Sequence, residues 1–329
     1  MYLISPEIES SFIKFERFIE GTLMPKQNLK AYIAWINTCI VWGTTYLAIR
    51  IGVEHIPPML FAGIRWLVAG SGFIIYLRLT GRELPSRDQL IHIAIPGIAL
   101  LGLGNGLVVV AEQWIPSGLT ALLITTVPFW IVGIESFLPH GVRINKQAAF
   151  GLILGLAGIV LIFGNDIKYL FDPENLLGVF SLMAAVFFWS AGTIYSKYKK
   201  INVHPLMSAA YQMLFAGTLQ TILGLSLGEL NDLYFETNSF LSLLYLITFG
   251  SIAGYGSYIY AVSNLPLSLV STYAYVNPVI ALILGWMILG EELNIFILIS
   301  AVIILAGVII VKRNAGTPAV IPDKVKAQP

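Results

Sequence analysis

The chain of 329 residues is 57% hydrophobic and 11% charged, less than half the roughly 25% charged residues of a soluble domain, which excludes a water-soluble globule. Its 19 Lys plus Arg nearly balance 18 Asp plus Glu, so it lacks the basic face that a nucleic-acid partner needs. The remaining solvent is the lipid bilayer, and a single cysteine, Cys39, excludes a disulfide framework and a cysteine-based metal site.

Residues 1–27 read as an extension ahead of the first span. The segment "IESSFIKFERFIEG" mixes acids with bases and has neither a long apolar core nor a small-residue cleavage site, which argues against a removable signal peptide. It is either an interfacial amphipathic helix or the product of a start at Met1 rather than Met24. Ten apolar stretches then follow at 31–50, 57–77, 90–110, 117–138, 146–163, 176–196, 205–226, 239–262, 267–289 and 294–311. Each has about the length needed to cross roughly 30 Å of hydrocarbon as a helix. Barrel strands would alternate polar with apolar residues and open strands would leave backbone unpaired in lipid, so all ten are expected to be helical. Residues 314–329 read as a disordered cytoplasmic tail.

Cytoplasmic loops carry an excess of Lys and Arg. With the N-terminus inside, all 19 except Arg50, Arg65 and Lys168 fall on inner segments, and the outer loop at 227–238 carries acid and no base. Both termini are therefore expected on the cytoplasmic side.

The chain repeats itself. "VWGTTYLAIR" at 41–50 lies on "FWSAGTIYSK" at 188–197, pairing Trp42 with Trp189, and the same offset pairs Arg65 with Gln212. After a small shift, "GNG" at 104–106 lies on "GYG" at 254–256, Pro116 on Pro266 and Pro128 on Pro278. Further on, "NKQAAFGLILGLAGIVLIFG" lies on "NIFILISAVIILAGVIIVKR", with Gly158 on Gly307. Five spans is an odd number, so the second copy enters the membrane from the opposite side. The expected fold is an all-α integral membrane protein of ten transmembrane helices in two inverted five-helix repeats, 28–164 and 175–313. In such folds the site lies at the midplane between the halves.

Two copies of a five-span unit, the Trp-containing first span, "IRW" in the second, and the stretch running from "YAVSNLPLS" at 260 through "NPVIALILGWMILGEELN" to "AGVIIVK" carry a resemblance. The chain resembles the EamA type of the drug/metabolite transporter superfamily over about residues 31–313. It departs from that pattern where "PHGVRIN" at 139–145 stands opposite "LGEELN" at 289–294 without the expected acid. The resemblance implies a bacterial inner-membrane carrier, an exporter of amino acids or related small metabolites, in contact with the bilayer and a small-molecule substrate.

Arg65 is the most informative residue, roughly 12 Å below the outer surface at 1.5 Å per residue. An ionisable group at such depth faces a cavity or a partner. It either awaits a substrate carboxylate or bonds helix-end carbonyls. Glu135 lies roughly 27 Å from the same surface, too far for a direct pair, and either relays protons or reaches the interface. Pro128 and Pro278 kink their helices beside Thr125, Thr126, Tyr275 and Asn277, and the kinks face a cavity or shape packing. Trp42, Thr44, Thr45 and Tyr46, with Trp189, Thr193 and Tyr195 in the repeat, mix rings and hydroxyls suited to an amphipathic solute. Asn105, Tyr211, Gln212, Tyr255, Tyr258, Tyr260 and Tyr273 join the candidates, although some of these aromatics belong to interfacial belts or to packing.

"GLGNG" at 102–106 looks like a phosphate cradle in spelling alone, since no strand precedes it, and small residues there let helices approach closely. "GLILG" at 151–155 has the spacing to pack on a neighbouring helix or on a second protomer, and so to form a homodimer. Glu291 and Glu292, after Gly290, are expected to cap and solvate their own turn. His55, His92, His140 and His204 are scattered and unpaired with acids at ligand spacing, so neither an enzyme nor a metal site nor a cofactor is expected. The favoured function is secondary export of an amino acid or related carboxylate or amphiphile by alternating access. The alternatives are a channel or scaffold, or a carrier for drug-like cations.

Overall fold

The computed structural model describes residues 29–138, 145–162, 173–199, 201–265, 270 and 273–314, and among them every regular element is helical. The 1–27 extension, the tail from 315 on, His140, Lys168 and residues 139–144 of the first-half counterpart of "LGEELN" lie outside the described residues.

Helices α1 (Leu29–Gly52) and α2 (Pro58–Leu79) are continuous. Helix α3 runs from Arg87–Pro96 through a π-helical stretch, Gly97–Asn105, into Gly106–Ala111. Helix α4 comes in two segments, Ser117–Ile124 and Val127–Ser136, and α5 spans Lys146–Ile162. In the second half α6 is Pro173–Tyr198 and α7 is Pro205–Ser226. Helix α8 joins Thr237–Tyr245, a π-stretch Leu246–Tyr255 and Gly256–Asn264. Helix α9 joins Tyr273–Leu284 to a π-turn at Gly285–Leu289, and α10 is Ile295–Asn314.

Six of these, α1 to α4, α6 and α8, are long and apolar enough to cross a membrane, and α5, α9 and α10 are shorter apolar helices. Helix α7 has the length, but Ser208, Gln212, Thr218, Gln220 and Thr221 lower its hydropathy. The bundle is apolar outside as well as inside: Ile75, Ile153, Phe180 and Val302 are each at least 60% exposed. In water such a surface would be an aggregation liability, and in lipid it costs nothing.

The packing is pseudo-symmetric. Helix α1 lies against α8 and α9, and its counterpart α6 lies against α3 and α4. Helices α2 and α7 pack on each other, as do α5 and α10, each pair being one element and its repeat. The α2–α7 seam closes because a Cβ on Gly217 would stand 2.6 Å from the Leu67 nitrogen, and one on Gly70 would stand 2.9 Å from the Ala210 carbonyl oxygen. Gly151 and Gly155 of "GLILG" face Gly307 of α10 in the same way. The neighbour of that motif is thus a helix of the same chain.

The π-stretches of α3 and α8 fall at equivalent places in the repeat. A π-turn leaves carbonyls without their usual partners, and here a side-chain amide from a neighbouring helix meets them. Gln220 Nε2 donates to the Leu101 and Gly102 carbonyl oxygens (2.9 and 2.8 Å), and Asn37 Nδ2 donates to that of Ala253 (3.4 Å). "GLGNG" is therefore a helix-packing segment. Gln220→Leu is expected to cost about 1–3 kcal/mol, the penalty of leaving buried polar groups unsatisfied. A clear fall in melting temperature of the purified protein in detergent, absent from Thr218→Val on the exposed side of α7, is the check.

The two prolines act differently. Helix α4 is interrupted at Thr125–Thr126, with Pro128 near the start of its second segment. The Thr125 and Thr126 hydroxyls donate to the Leu122 and Leu123 carbonyl oxygens (2.6 and 2.7 Å). Pro278 sits inside the helical run Tyr273–Leu284. Beside it the Asn277 amide, oriented to satisfy its neighbours, donates to the Cys39 and Tyr273 carbonyl oxygens (2.9 and 3.0 Å) and ties α9 to α1.

Candidate functional site

A cavity of about 200 Å³ lies between the two halves. Helices α1 to α4 contribute Trp42, Thr45, Tyr46, Arg65, Asn105, Thr125 and Pro128 to its wall. Helices α6, α8 and α9 contribute Trp189, Thr193, Tyr258 and Asn277. Trp66, Tyr255 and Tyr273 complete the aromatic part.

Trp42 is the hub. It meets Trp189 edge to face at 6.2 Å between centroids, as residues paired by the repeat do when they flank a two-fold axis. It lies 4.9 Å from Tyr258 and 5.0 Å from Tyr273 on other sides, and Tyr255 stacks on it at 6.3 Å. Thr45 and Thr193 direct their hydroxyls at the carbonyl oxygens of Trp42 and Trp189 (2.8 Å each), so the wall near the rings offers little free polarity.

Arg65 is 3% exposed. Its Nε donates to the Ser251 hydroxyl at 2.8 Å, and its guanidinium carbon stands 4.3 Å from the centre of the Trp66 ring, a cation–π contact. Trp66 Nε1 is held by the Asn105 amide oxygen at 3.1 Å, so α3 fixes the ring that supports the arginine. The Nη1 atom is buried without a hydrogen-bond partner among the described residues. Between the two readings of Arg65, bonding to helix-end carbonyls does not account for that nitrogen.

Several candidates lie elsewhere. Gln212, the repeat partner of Arg65, accepts from the Tyr255 hydroxyl (2.7 Å), donates to Ser208, and does not line the cavity. Thr44 bonds the Val41 carbonyl and the Tyr245 hydroxyl, and Thr126 turns back to its own helix. Tyr211 packs in the α2–α7 core beside Phe215. Tyr275 packs against the apolar cluster shared by α4, α6 and α10. Tyr195 bonds His92 at 2.8 Å, and Tyr260 is exposed. Glu135 is buried near the end of α4, away from the cavity wall.

The turns after α1, α3, α7 and α9 gather at one end of the bundle. The Glu229 carboxylate accepts from the Met59 and Leu60 backbone N–H groups (3.2 and 2.8 Å) at the start of α2. Glu291 accepts from Ser117 and Gly118 (2.7 and 3.0 Å) at the start of α4. The sequence reading placed Glu291 as a cap of its own turn. That turn is instead made by Gly290 at φ 66°, which leaves the carboxylate free to reach the other half. Arg50 donates to the Glu112 carbonyl oxygen at the same end. At the opposite end Gln89 reaches the Asn202 carbonyl (2.9 Å).

The sequence of both halves of this bundle matches a known family. The EamA-like transporter family model matches residues 29–164 and again 176–313. This chain belongs to the EamA-like transporter family. It is 35% identical over 271 residues to the uncharacterized inner membrane transporter YedA of Escherichia coli K12, covering 82% of this chain and 86% of that one. It is 26% identical to a probable amino-acid metabolite efflux pump of Salmonella typhimurium over 82% of this chain and 91% of the pump. A solved crystal structure shares the fold at a TM-score of 0.61 and 19% identity, covering 87% of this chain and 98% of that one. This EamA-like protein is an inner-membrane transporter and not an enzyme.

Trp66, and the carboxylates Glu112 and Glu229, were not singled out by the sequence reading. Trp66 was visible as the neighbour of Arg65 in "IRW". Glu112 and Glu229 stand just past span ends, where a charge ordinarily reads as solvated.

Proposed function

We propose that the chain is a ten-span alternating-access carrier that exports a small amphiphilic carboxylate, an amino acid or a close relative. The observation that carries this reading is the free Nη1 of Arg65 at the edge of a ring-lined cavity between the halves. A carboxylate would accept from that nitrogen in a charge-assisted hydrogen bond. The apolar remainder would lie on Trp42, Trp189 and Tyr258, which suits a pocket with few polar anchors. The exchange of partners between α1 and α6 supports two inverted repeats. The Lys and Arg distribution supports cytoplasmic ends for the helical array and, with them, an outer position for the Glu229 and Glu291 caps. The efflux-pump relative supports export of amino-acid metabolites.

Counterflow in proteoliposomes separates a carrier from a channel or scaffold. Vesicles loaded with an unlabelled amino acid from a panel are diluted into trace labelled solute. A transient internal accumulation above the outside level is the carrier's signature. Simple equilibration would identify a channel, and no uptake across amino acids and simple carboxylates would remove the cargo class.

A further inference from the structure

One ionisable group near the cavity has no role in cargo binding. Glu112 follows the last turn of α3, is 0% exposed, and among the described residues has no hydrogen-bond partner on either carboxyl oxygen. Among the described residues, Tyr46 and Arg50 of α1, Arg65 of α2, and Glu291 from the α9–α10 turn are the titratable or charged groups that face it. Arg50 bonds the backbone carbonyl of Glu112, not its carboxylate. The Ser117 and Thr120 hydroxyls on α4 are also buried and unpartnered. One helical turn before Glu112, Val108 lines the cavity, so the carboxyl stands at its roof on the end closed by the two carboxylate caps.

An ionised carboxylate deprived of water and of every donor is far costlier than its neutral form. Glu229 and Glu291 differ in their surroundings, because each accepts two backbone N–H bonds. We propose that Glu112 is the protonation switch of the outer gate: the closed arrangement holds it protonated, and its ionisation favours separation of the outer ends. This rests on the alternating-access reading above. The proton is taken from outside water when the gate closes over Glu112 and returns to water when the gate opens. No bond other than the carboxyl O–H is made or broken. The sign follows from linkage: the closed state binds the extra proton, so its population rises as the outside pH falls.

The test needs no cargo. A reporter, Ser117→Cys, is placed in a Cys39→Ala background, where the fully buried Ser117 lies under the Glu291 cap and becomes accessible only when the end opens. Intact cells are treated with a membrane-impermeant maleimide across a pH series. Labelling is divided by that of Asn231→Cys, an exposed outer-turn position, to cancel the thiol's own pH dependence.

With Glu112 present, the ratio is expected to rise with pH, by up to about tenfold per unit below the midpoint. With Glu112→Gln it is expected to stay low and flat. Arg50→Gln removes a charge that favours ionisation and moves the rise to higher pH. Glu291→Gln removes one that opposes ionisation and moves it to lower pH. A pH rise that survives in Glu112→Gln overturns the proposal. If that variant does not elute as folded protein, unmoved midpoints in the two neighbouring variants overturn it instead. Labelling that is present but flat with pH sinks the switch and leaves the carrier reading standing. No labelling of Ser117→Cys at any pH, alongside normal labelling of Asn231→Cys, overturns the alternating-access reading itself.

Discussion

Arg65→Gln is expected to weaken binding of carboxylate-bearing solutes by roughly 10- to 100-fold, the loss of about 1.5–3 kcal/mol that accompanies removal of a hydrogen bond to a charged group. Binding of neutral or cationic amphiphiles should change little, because the rings around Trp42 are untouched. Without cargo the variant should melt no lower than the natural protein. The guanidinium has one nitrogen buried without a partner, and an incompletely paired buried charge is a poor source of stability. Thermal stabilisation by a panel of amino acids, simple carboxylates and cationic amphiphiles reads both effects at once. Equal stabilisation of both proteins by carboxylates would make Arg65 a structural residue, held by Ser251 and Trp66 for packing alone. The neutral Gln212 in the second half is already committed to Tyr255, so the pseudo-symmetric position offers no compensating charge, and the loss should not be rescued from there.

The helix positions were legible because apolar runs of membrane length tolerate few alternatives: the range 205–226 matches Pro205–Ser226, and 146–163 nearly matches Lys146–Ile162. The cavity between the halves was legible to the extent that the repeat located it. Residues paired with each other near a two-fold axis must meet, and Trp42 and Trp189 do. What the sequence withheld was facing. A helix that is apolar all round carries no stripe to say which side looks inward, so Tyr211, a candidate for its ring, and Gln212, a candidate as the repeat partner of Arg65, turn out to pack away from the cavity. The two prolines aligned perfectly in sequence, yet only the first sits by a break in its helix. Thr125 and Thr126 can bond back to the carbonyls before them, and the matching Tyr275 and Val276 cannot. The carboxylates at the capped end of the bundle were invisible for a different reason. Glu229 and Glu291 bond to backbone of the opposite half, a contact between turns far apart in sequence that no local pattern encodes.

Gly307→Ala tests whether the bundle separates into a scaffold and a working part. A Cβ at Gly307 would stand 2.7 Å from both the Gly151 carbonyl oxygen and the Gly155 nitrogen, and 3.0 Å from the Gly155 Cα. All three are backbone atoms, so no side chain can swing aside, and α5 and α10 must move apart. Overpacking of this kind costs about 1–3 kcal/mol. Gly72→Ala on α2 is the counterpart, since nothing lies within 4 Å of its added methyl, and helix propensity favours the change by up to about 1 kcal/mol. Melting in detergent should therefore fall for the first and hold or rise for the second. A fall of equal size in both would mean that glycine is needed along these helices for some reason other than close approach. The cavity wall includes no residue of α5 or α10, so Gly307→Ala protein that remains folded should bind carboxylates with unchanged affinity. Loss of affinity together with stability would instead mean that the α5–α10 pair sets the spacing of α4 and α9, and through Thr125 and Asn277 the width of the cavity itself.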